Sequence, residues 1–442
     1  MSGLTREERS GSTDETPLPA VAIGRTAAIR GCGRNPIVWN IVLDGQQNCI
    51  SPKTTSVKLT CKKRNVTTTF VNEGGNEMRA ISRLFMGLAG LALVSGIGSA
   101  TAHAQFYKGK TLNVIINYAP GGNTSIQGRL LMRFMPKYIP GTPRVVIRNI
   151  AGAGGKVGTN FLGIKAKRDG YTMGVFTISL LSEVLKDPAL QVSHSDLIFI
   201  GGLGSQEVAY IRKDHPPGIQ KPSDLFKITE PFRTGGHAPT NTKDMGTRLA
   251  LDLLKVPYRH VHGFKSGAML RKAVQQNELQ YSSDSTPGFR GRVEPIMVKE
   301  GIVTPLFHTG VPTPDGKGLT AHRDYPDVPS YLDLYRMKFG KDAMPSGKLW
   351  EGYLLISVMR ANILRAVFLP PNSPQEAVDI LRKAYDATMK DPQYLEEYKK
   401  LNKGLPSPIK GEPGQKFLLD QVKNADPELV AFLTAYADKV RK

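Results

Sequence analysis

The sequence predicts a two-lobed α/β molecule with a helical C-terminal region. Three observations lead to it. From Thr111 onward short apolar runs alternate with helical stretches, the βαβ rhythm that builds parallel strands joined by right-handed crossovers. A second series of the same kind opens after residue 230, separated from the first by two consecutive strand-like runs at 196–213. Past the Pro/Gly-rich "GVPTPDGKG" the pattern turns mostly helical, so two α/β units and a helical tail are expected to enclose a cleft.

Taken in order, "TLNVIINY" has the length and apolar character of a buried strand and is closed by the turn signal "PGG". Ile126, Leu130, Leu131, Phe134 and Met135 recur at helical spacing and predict a helix over 124–137. "RVVIRN" is a second strand. In "AGAGG" the glycines permit a tight strand-to-helix turn, because glycine enters positive φ at little cost. A helix to about Lys167 and the strand "YTMGVFT" follow, then "DLIFIGGLGS" and "EVAYIRKD" as strands. The second unit reads "FRTGG", a helix over 242–254, "YRHVHGF", a helix over 267–276, "ELQYSSD", a helix near 289–299 and "TPLFHT". In the tail, Ser373-Pro374-Gln375-Glu376 has the capping-box form with Ser373 as N-cap, and Asp391-Pro392 and Asp426-Pro427 are Asp/Pro helix starts.

Residues 78–104, "MRAISRLFMGLAGLALVSGIGSATAHA", carry Arg79 and Arg83, an apolar run and a terminal Ala-His-Ala, the three parts of a cleavable signal peptide in the right order. The run falls well short of the roughly 20 residues of a membrane-spanning helix. Met78 is therefore expected to be the natural start, residues 1–77 a non-native or disordered extension, and residues 105–442 the exported protein. The three cysteines, Cys32, Cys49 and Cys61, all precede it, so residues 105–442 contain neither disulfides nor thiolate metal ligands.

The net charge of +21 suits anionic partners, yet the basic residues are dispersed among acids as in "YLEEYKKLNK". No basic stripe interleaved with aromatics marks a nucleic-acid surface. "AGAGGKVGTN" fails both nucleotide templates: Val157 stands at the third Rossmann position, and also follows Gly155-Lys156 where a P-loop needs Ser or Thr. There is no Gly-x-Ser-x-Gly and no His-Glu-x-x-His. His260 and His262, two apart, could share one face of a strand and hold a metal, but no third ligand lies nearby in sequence; satisfied or surface histidines are the better reading. No cofactor or metal is expected, and no enzyme activity.

"NYAPGGNTSIQGRLL" is more informative. A strand ends at Tyr118, two glycines let the backbone turn closely, and Asn123 or Thr124 is expected to cap the next helix, whose free amides and dipole make an anion site. Together with the export signal, "IRNIAGAGGKVGTNFL", "RDGYTMGVFT", a Gly-rich loop before the 242–254 helix, "VHGFKSGAMLRKAV" and "DYPDVPSYLDL", this order of segments resembles the Bug-type solute-binding receptors of tripartite tricarboxylate transporters.

The resemblance, which covers 106 to about 400, implies a type II periplasmic binding protein fold with lobe one at 105–207 plus 311–442 and lobe two at 208–310. It implies a monomeric periplasmic receptor that closes on a small organic anion, a carboxylate, and delivers it to membrane transporter subunits. Carried over residue by residue, the first-lobe contacts are Tyr118, Pro120, Gly121, Gly122, Asn123, Thr124 and Ser125, with Thr177 and Ser179. The second-lobe contacts are His237, Ala238, Thr240, Asn241, Lys265, Ser266 and Asp284. Such a site grips its ligand through amides, hydroxyls and waters, without a buried counter-charge. Many relatives have an acidic residue where this chain has Ser125, so a carboxylate without an amine is expected. A ligand sensor for a membrane signalling protein uses the same cleft, and a hydrolase on this scaffold would need a nucleophile or metal.

Overall fold

The computed structural model describes residues 106–322 and 325–439, and three short strands, Trp39–Ile41, Val57–Cys61 and Thr67–Phe70, that pair antiparallel. The export segment 78–104 and the rest of 1–77 lie outside the described residues.

The first sheet begins with β1 (Thr111–Ile116), which passes through the glycine loop to α1 (Asn123–Phe134) and β2 (Arg144–Asn149). β3 (Thr172–Thr177) and β4 (Ile198–Leu203) follow. Leu112, Val114, Ile116, Met173 and Phe176 are buried, as expected for strands covered on both faces. α1 ends earlier than the apolar spacing predicts, because Pro136 cannot continue the ladder and residues Met135–Tyr138 tighten into a 3₁₀ turn. After "AGAGG" the α-helix is short, Lys156–Asn160, and continues as a wide turn over Phe161–Lys165.

The chain then crosses to a second sheet, formed by β5 (Glu207–Arg212), β6 (Phe232–Gly235), β7 (Tyr258–Val261), β8 (Tyr281–Ser285) and β9 (Val303–His308). Its helices are α2 (Thr242–Leu253) and α3 (Gly267–Gln275). Strand order is β7-β6-β8-β5-β9, with β6 parallel to β7 and β8, and β5 antiparallel to β8 and β9.

In the tail, α4 (Tyr331–Phe339) and α5 (Gly347–Asn362) lead back to the first sheet through β10 (Arg365–Leu369). α5 packs along α2 of the second sheet and runs from Trp350, stacked near Tyr331, to Arg360 at the cleft. α6 (Gln375–Thr388), α7 (Pro392–Asn402), the short edge strand β11 (Pro408–Lys410), α8 (Gly411–Lys423) and α9 (Pro427–Asp438) complete the fold. The first sheet reads β11-β4-β10-β3-β1-β2. Asp391 and Asp426 cap α7 and α9 as their sequences indicate, Asp391 accepting from Gln393 N and Asp426 from Glu428 N. Ser373 does not cap α6: the helix starts at Gln375 after Pro374, and the Ser373 hydroxyl donates instead to Pro370 O at 2.8 Å.

Candidate functional site

The parallel strands of both sheets end at one cleft, the usual position for a ligand in open α/β sheets. β1 ends near Tyr118, β3 at Thr177, β6 at Gly235 and β8 at Ser285. Antiparallel partners add the residues that open their own strands, since register sets Arg365 of β10 opposite Thr177 and Glu207 of β5 opposite Ser285. Groups from distant parts of the chain therefore converge.

The glycine loop is shaped for close approach. Gly121 has φ +80°, and a Cβ on Gly122 would lie 3.1 Å from the Ser266 Cβ, so this loop and the α3 start nearly touch. Gly122→Val is expected to cost about 1–3 kcal/mol, read by thermal melting, because the two loops would have to part. Gly122 is itself the N-cap of α1, without a side-chain bond; Asn123 and Thr124 do not cap. The helix begins one residue earlier than expected, which turns both side chains to the cleft. Thr124 and Thr177 share a hydroxyl hydrogen bond of 2.7 Å, and Asn123 Nδ2 donates to Ser285 Oγ at 3.4 Å.

Two chambers lie in the cleft. The outer one, about 450 Å³, is bordered by the 152–156 turn, Asp187–Ala189, His237–Pro239 and His262–Lys265. The inner one, about 60 Å³, is lined by Asn123, Thr124, Thr177, Asn241, Asp284 and charged neighbours. Tyr118 and His237 border both, their rings edge-on at 5.1 Å. The Tyr118 hydroxyl donates to Gly154 O at 2.9 Å and accepts from Asn241 Nδ2 at 3.3 Å. His237 Nδ1 lies 2.7 Å from Phe264 O, which only accepts, so that nitrogen carries the proton. Burial holds the His237 imidazole below its ordinary pKa, favouring the neutral ring.

Beside the outer chamber a latch joins the sheets. Lys156 Nζ lies 3.0 Å from Asp187 Oδ2 and donates to Thr240 Oγ1 at 3.1 Å, while Thr240 donates to Asp187. Ser179 and Ser182 hydroxyls donate to Thr240 O at 3.3 and 3.1 Å. Lys156 and Asp187 are both buried, so each depends on the other for compensation.

The inner chamber is charged. Arg360 reaches Glu207 at 2.8 Å, and Lys243 Nζ lies 3.9 Å from the same carboxylate oxygen while donating to Ser283. Arg271 and Asp284 pair at 2.7 Å, and Tyr210 OH donates to the other Asp284 oxygen at 3.0 Å. Arg365 donates to Ser285 Oγ at 3.2 Å, and its Nε has no partner. Burial lowers its guanidinium pKa to about 10, which still leaves it charged at neutral pH.

The structure thus distributes the sequence-derived residues. Tyr118, Asn123, Thr124, Thr177, His237, Asn241 and Asp284 border the inner chamber, and Lys265 the outer. Ser179 and Thr240 belong to the latch. Gly121 and Gly122 form the close loop, and Ser266 caps α3 by accepting from Met269 N at 3.3 Å. Ser125 is buried, accepts from Asn149 Nδ2 at 3.1 Å and borders neither chamber. His260 Nε2 pairs with Asp244 at 2.9 Å, while its Nδ1 is buried without a hydrogen-bond partner. Lys243, Arg360 and Arg365, which the sequence reading did not name, stand at the inner chamber. Only one signal could have found them: Arg365 interrupts the apolar run "NILRAVFL" at a strand start.

Comparison with solved structures decides the fold. The periplasmic binding protein BugD superposes with a TM-score of 0.56 at 19% identity, over 75% of this chain and 99% of that one. The chain has the periplasmic binding protein fold. MatC from Rhodopseudomonas palustris, solved with bound malate, shares it with a TM-score of 0.54 at 18% identity, over 73% of this chain and 99% of MatC. In sequence, this periplasmic binding fold is similar to Protein BugT of Bordetella pertussis, 35% identical over 94 residues, which is 21% of this chain and 26% of BugT. The matched stretch therefore spans about a quarter of that relative's length. No family model matches the sequence. Among the described residues no helix is long and apolar enough to cross a membrane.

Proposed function

We propose that the chain is an exported, non-catalytic solute-binding receptor that captures a small organic carboxylate and presents it to the membrane subunits of a tripartite tricarboxylate-type transporter. The observation that carries this reading is the inner chamber, where hydroxyl and amide donors from both sheets meet three buried cations. Donors aimed at one small volume suit an anion, and cations beside them make the bonds charge-assisted. Likeness to BugT and the malate held by MatC support the same class of ligand. The 78–104 segment supports export and a periplasmic location.

The two sheets are the centres of two lobes whose opening and closing the ligand would bias. Packing of α5 on α2 supports crossings at 204–206 and 362–364, the second later than the 311 read from sequence. The test is a thermal-shift panel of malate, succinate, adipate, citrate, benzoate, glutamate and ATP. A carboxylate at one hundred times its Kd is expected to stabilise the protein by about 2.7 kcal/mol, a rise of a few degrees, without being consumed. A shift by ATP with none from any carboxylate would overturn the reading.

A further inference from the structure

The charges around the inner chamber do not balance. Lys243, Arg360 and Arg365 line it with Glu207 and Asp284, and Arg271, just outside the lining, already neutralises Asp284, which leaves three positive charges facing one negative. Asp284 is fully engaged, one oxygen with Arg271 and the other with the Tyr210 hydroxyl. Glu207 is shared, its Oε1 facing both Arg360 and Lys243. Arg365 meets no carboxylate among the described residues; its one hydrogen-bond partner is the neutral Ser285 hydroxyl, although the residue is only 7% exposed. The Nε atoms of Arg365 and Arg360 are both buried without an acceptor. A buried guanidinium lacking a counter-ion is a net cost to the fold, and donors left over in its fork are placed to take a carboxylate or similar oxyanion side-on.

Size limits what could neutralise them. The chamber of about 60 Å³ holds a few water-sized groups, far less than the outer chamber of about 450 Å³. Two uncompensated positive charges in so small a space call for two negative charges on a short spacer.

We propose that the inner chamber is a seat for a compact dianion, in which Arg365 is the specificity-determining residue that selects doubly over singly charged ligands. This rests on the receptor reading and adds to it the charge and length of the solute. It also means that Arg365 is kept at the expense of stability, which gives a test independent of the ligand.

The purified full chain and its Arg365→Met, Arg365→Gln and Arg365→Lys variants would be melted without ligand, then titrated at constant ionic strength with malonate, succinate, adipate, butyrate, sulfate and inorganic phosphate. Arg365→Met is expected to melt at a higher temperature than the parent. Malonate or succinate is expected to bind at least tenfold more tightly than butyrate and adipate, a preference lost in Arg365→Gln and partly kept in Arg365→Lys. A lower melting temperature for Arg365→Met overturns the uncompensated charge, and a dianion preference unchanged in Arg365→Gln overturns the assigned role of Arg365; in either case carboxylate binding by the parent would leave the receptor reading standing. Arg365-dependent binding of sulfate or phosphate, with no carboxylate bound, sustains the dianion seat and overturns the carboxylate reading instead. No binding of any of these anions overturns both.

Discussion

Asp187→Ala is expected to lower the stability of the protein by about 3–5 kcal/mol, because it strands the Lys156 ammonium in a buried site. The same change removes the acceptor of the Thr240 hydroxyl, so Thr240, in the loop that precedes α2, is then held by Lys156 and by the hydroxyls of Ser179 and Ser182. Urea denaturation would measure the loss, and a midpoint unchanged from the parent would show that the latch contributes nothing. Acid should act on the same group. Burial alone would raise the Asp187 pKa, but the Thr240 hydroxyl, the Ala189 amide and Lys156 outweigh it and hold the carboxyl below its ordinary value. A depressed carboxyl contributes stability that is complete above the unfolded pKa near ~4 and is lost as pH falls through the lower folded value. The parent should therefore lose stability below about pH 4, and Asp187→Ala should lose less over that interval.

Gly204→Ala is expected to be the most damaging single-methyl change at the crossings. A Cβ there would stand 1.8 Å from the Ala361 carbonyl oxygen and 3.0 Å from that of Asn362. These are backbone atoms, so no rotamer can relieve the overlap and the two crossing segments must separate. The cost should be at least about 1–3 kcal/mol. It should also reach the site, since Ala361 follows Arg360 and Ser205 N donates to Arg360 O at 3.0 Å. A fall of several degrees in melting temperature, with succinate binding weakened tenfold or more, is the expected result. Equal melting temperatures would mean that the crossings yield freely.

Much of this architecture was legible because its causes are local. The strand at Thr111–Ile116, the positive-φ run at Gly152–Gly155 and the aspartate caps at Asp391 and Asp426 each follow from a few adjacent residues. Misreadings of local structure came where neighbours compete. Gly122 took the cap that Asn123 or Thr124 could have filled, and Pro374 stands between Ser373 and the helix it was expected to begin. The charged inner chamber was hidden for another reason. Arg365 comes to Thr177 and Ser285 through strand register across 188 and 80 residues of chain, and Lys243 meets Glu207 across a helix start and a strand start. No spacing rule joins such positions; only the sheet order does.

Helix α5 also gives the molecule an optical reporter. Trp350 is nearly buried, with Tyr331 and Tyr353 rings 6.4 and 5.9 Å away, and Arg360 lies ten residues, or about 15 Å, further along the same rigid element. The only other tryptophan in the sequence is Trp39. In a Trp39→Phe chain, indole emission therefore comes from one position mechanically tied to the inner chamber. Tyrosine-to-indole energy transfer then registers any displacement of that helix, so the proposed solute capture is open to timing by stopped flow without attaching a dye.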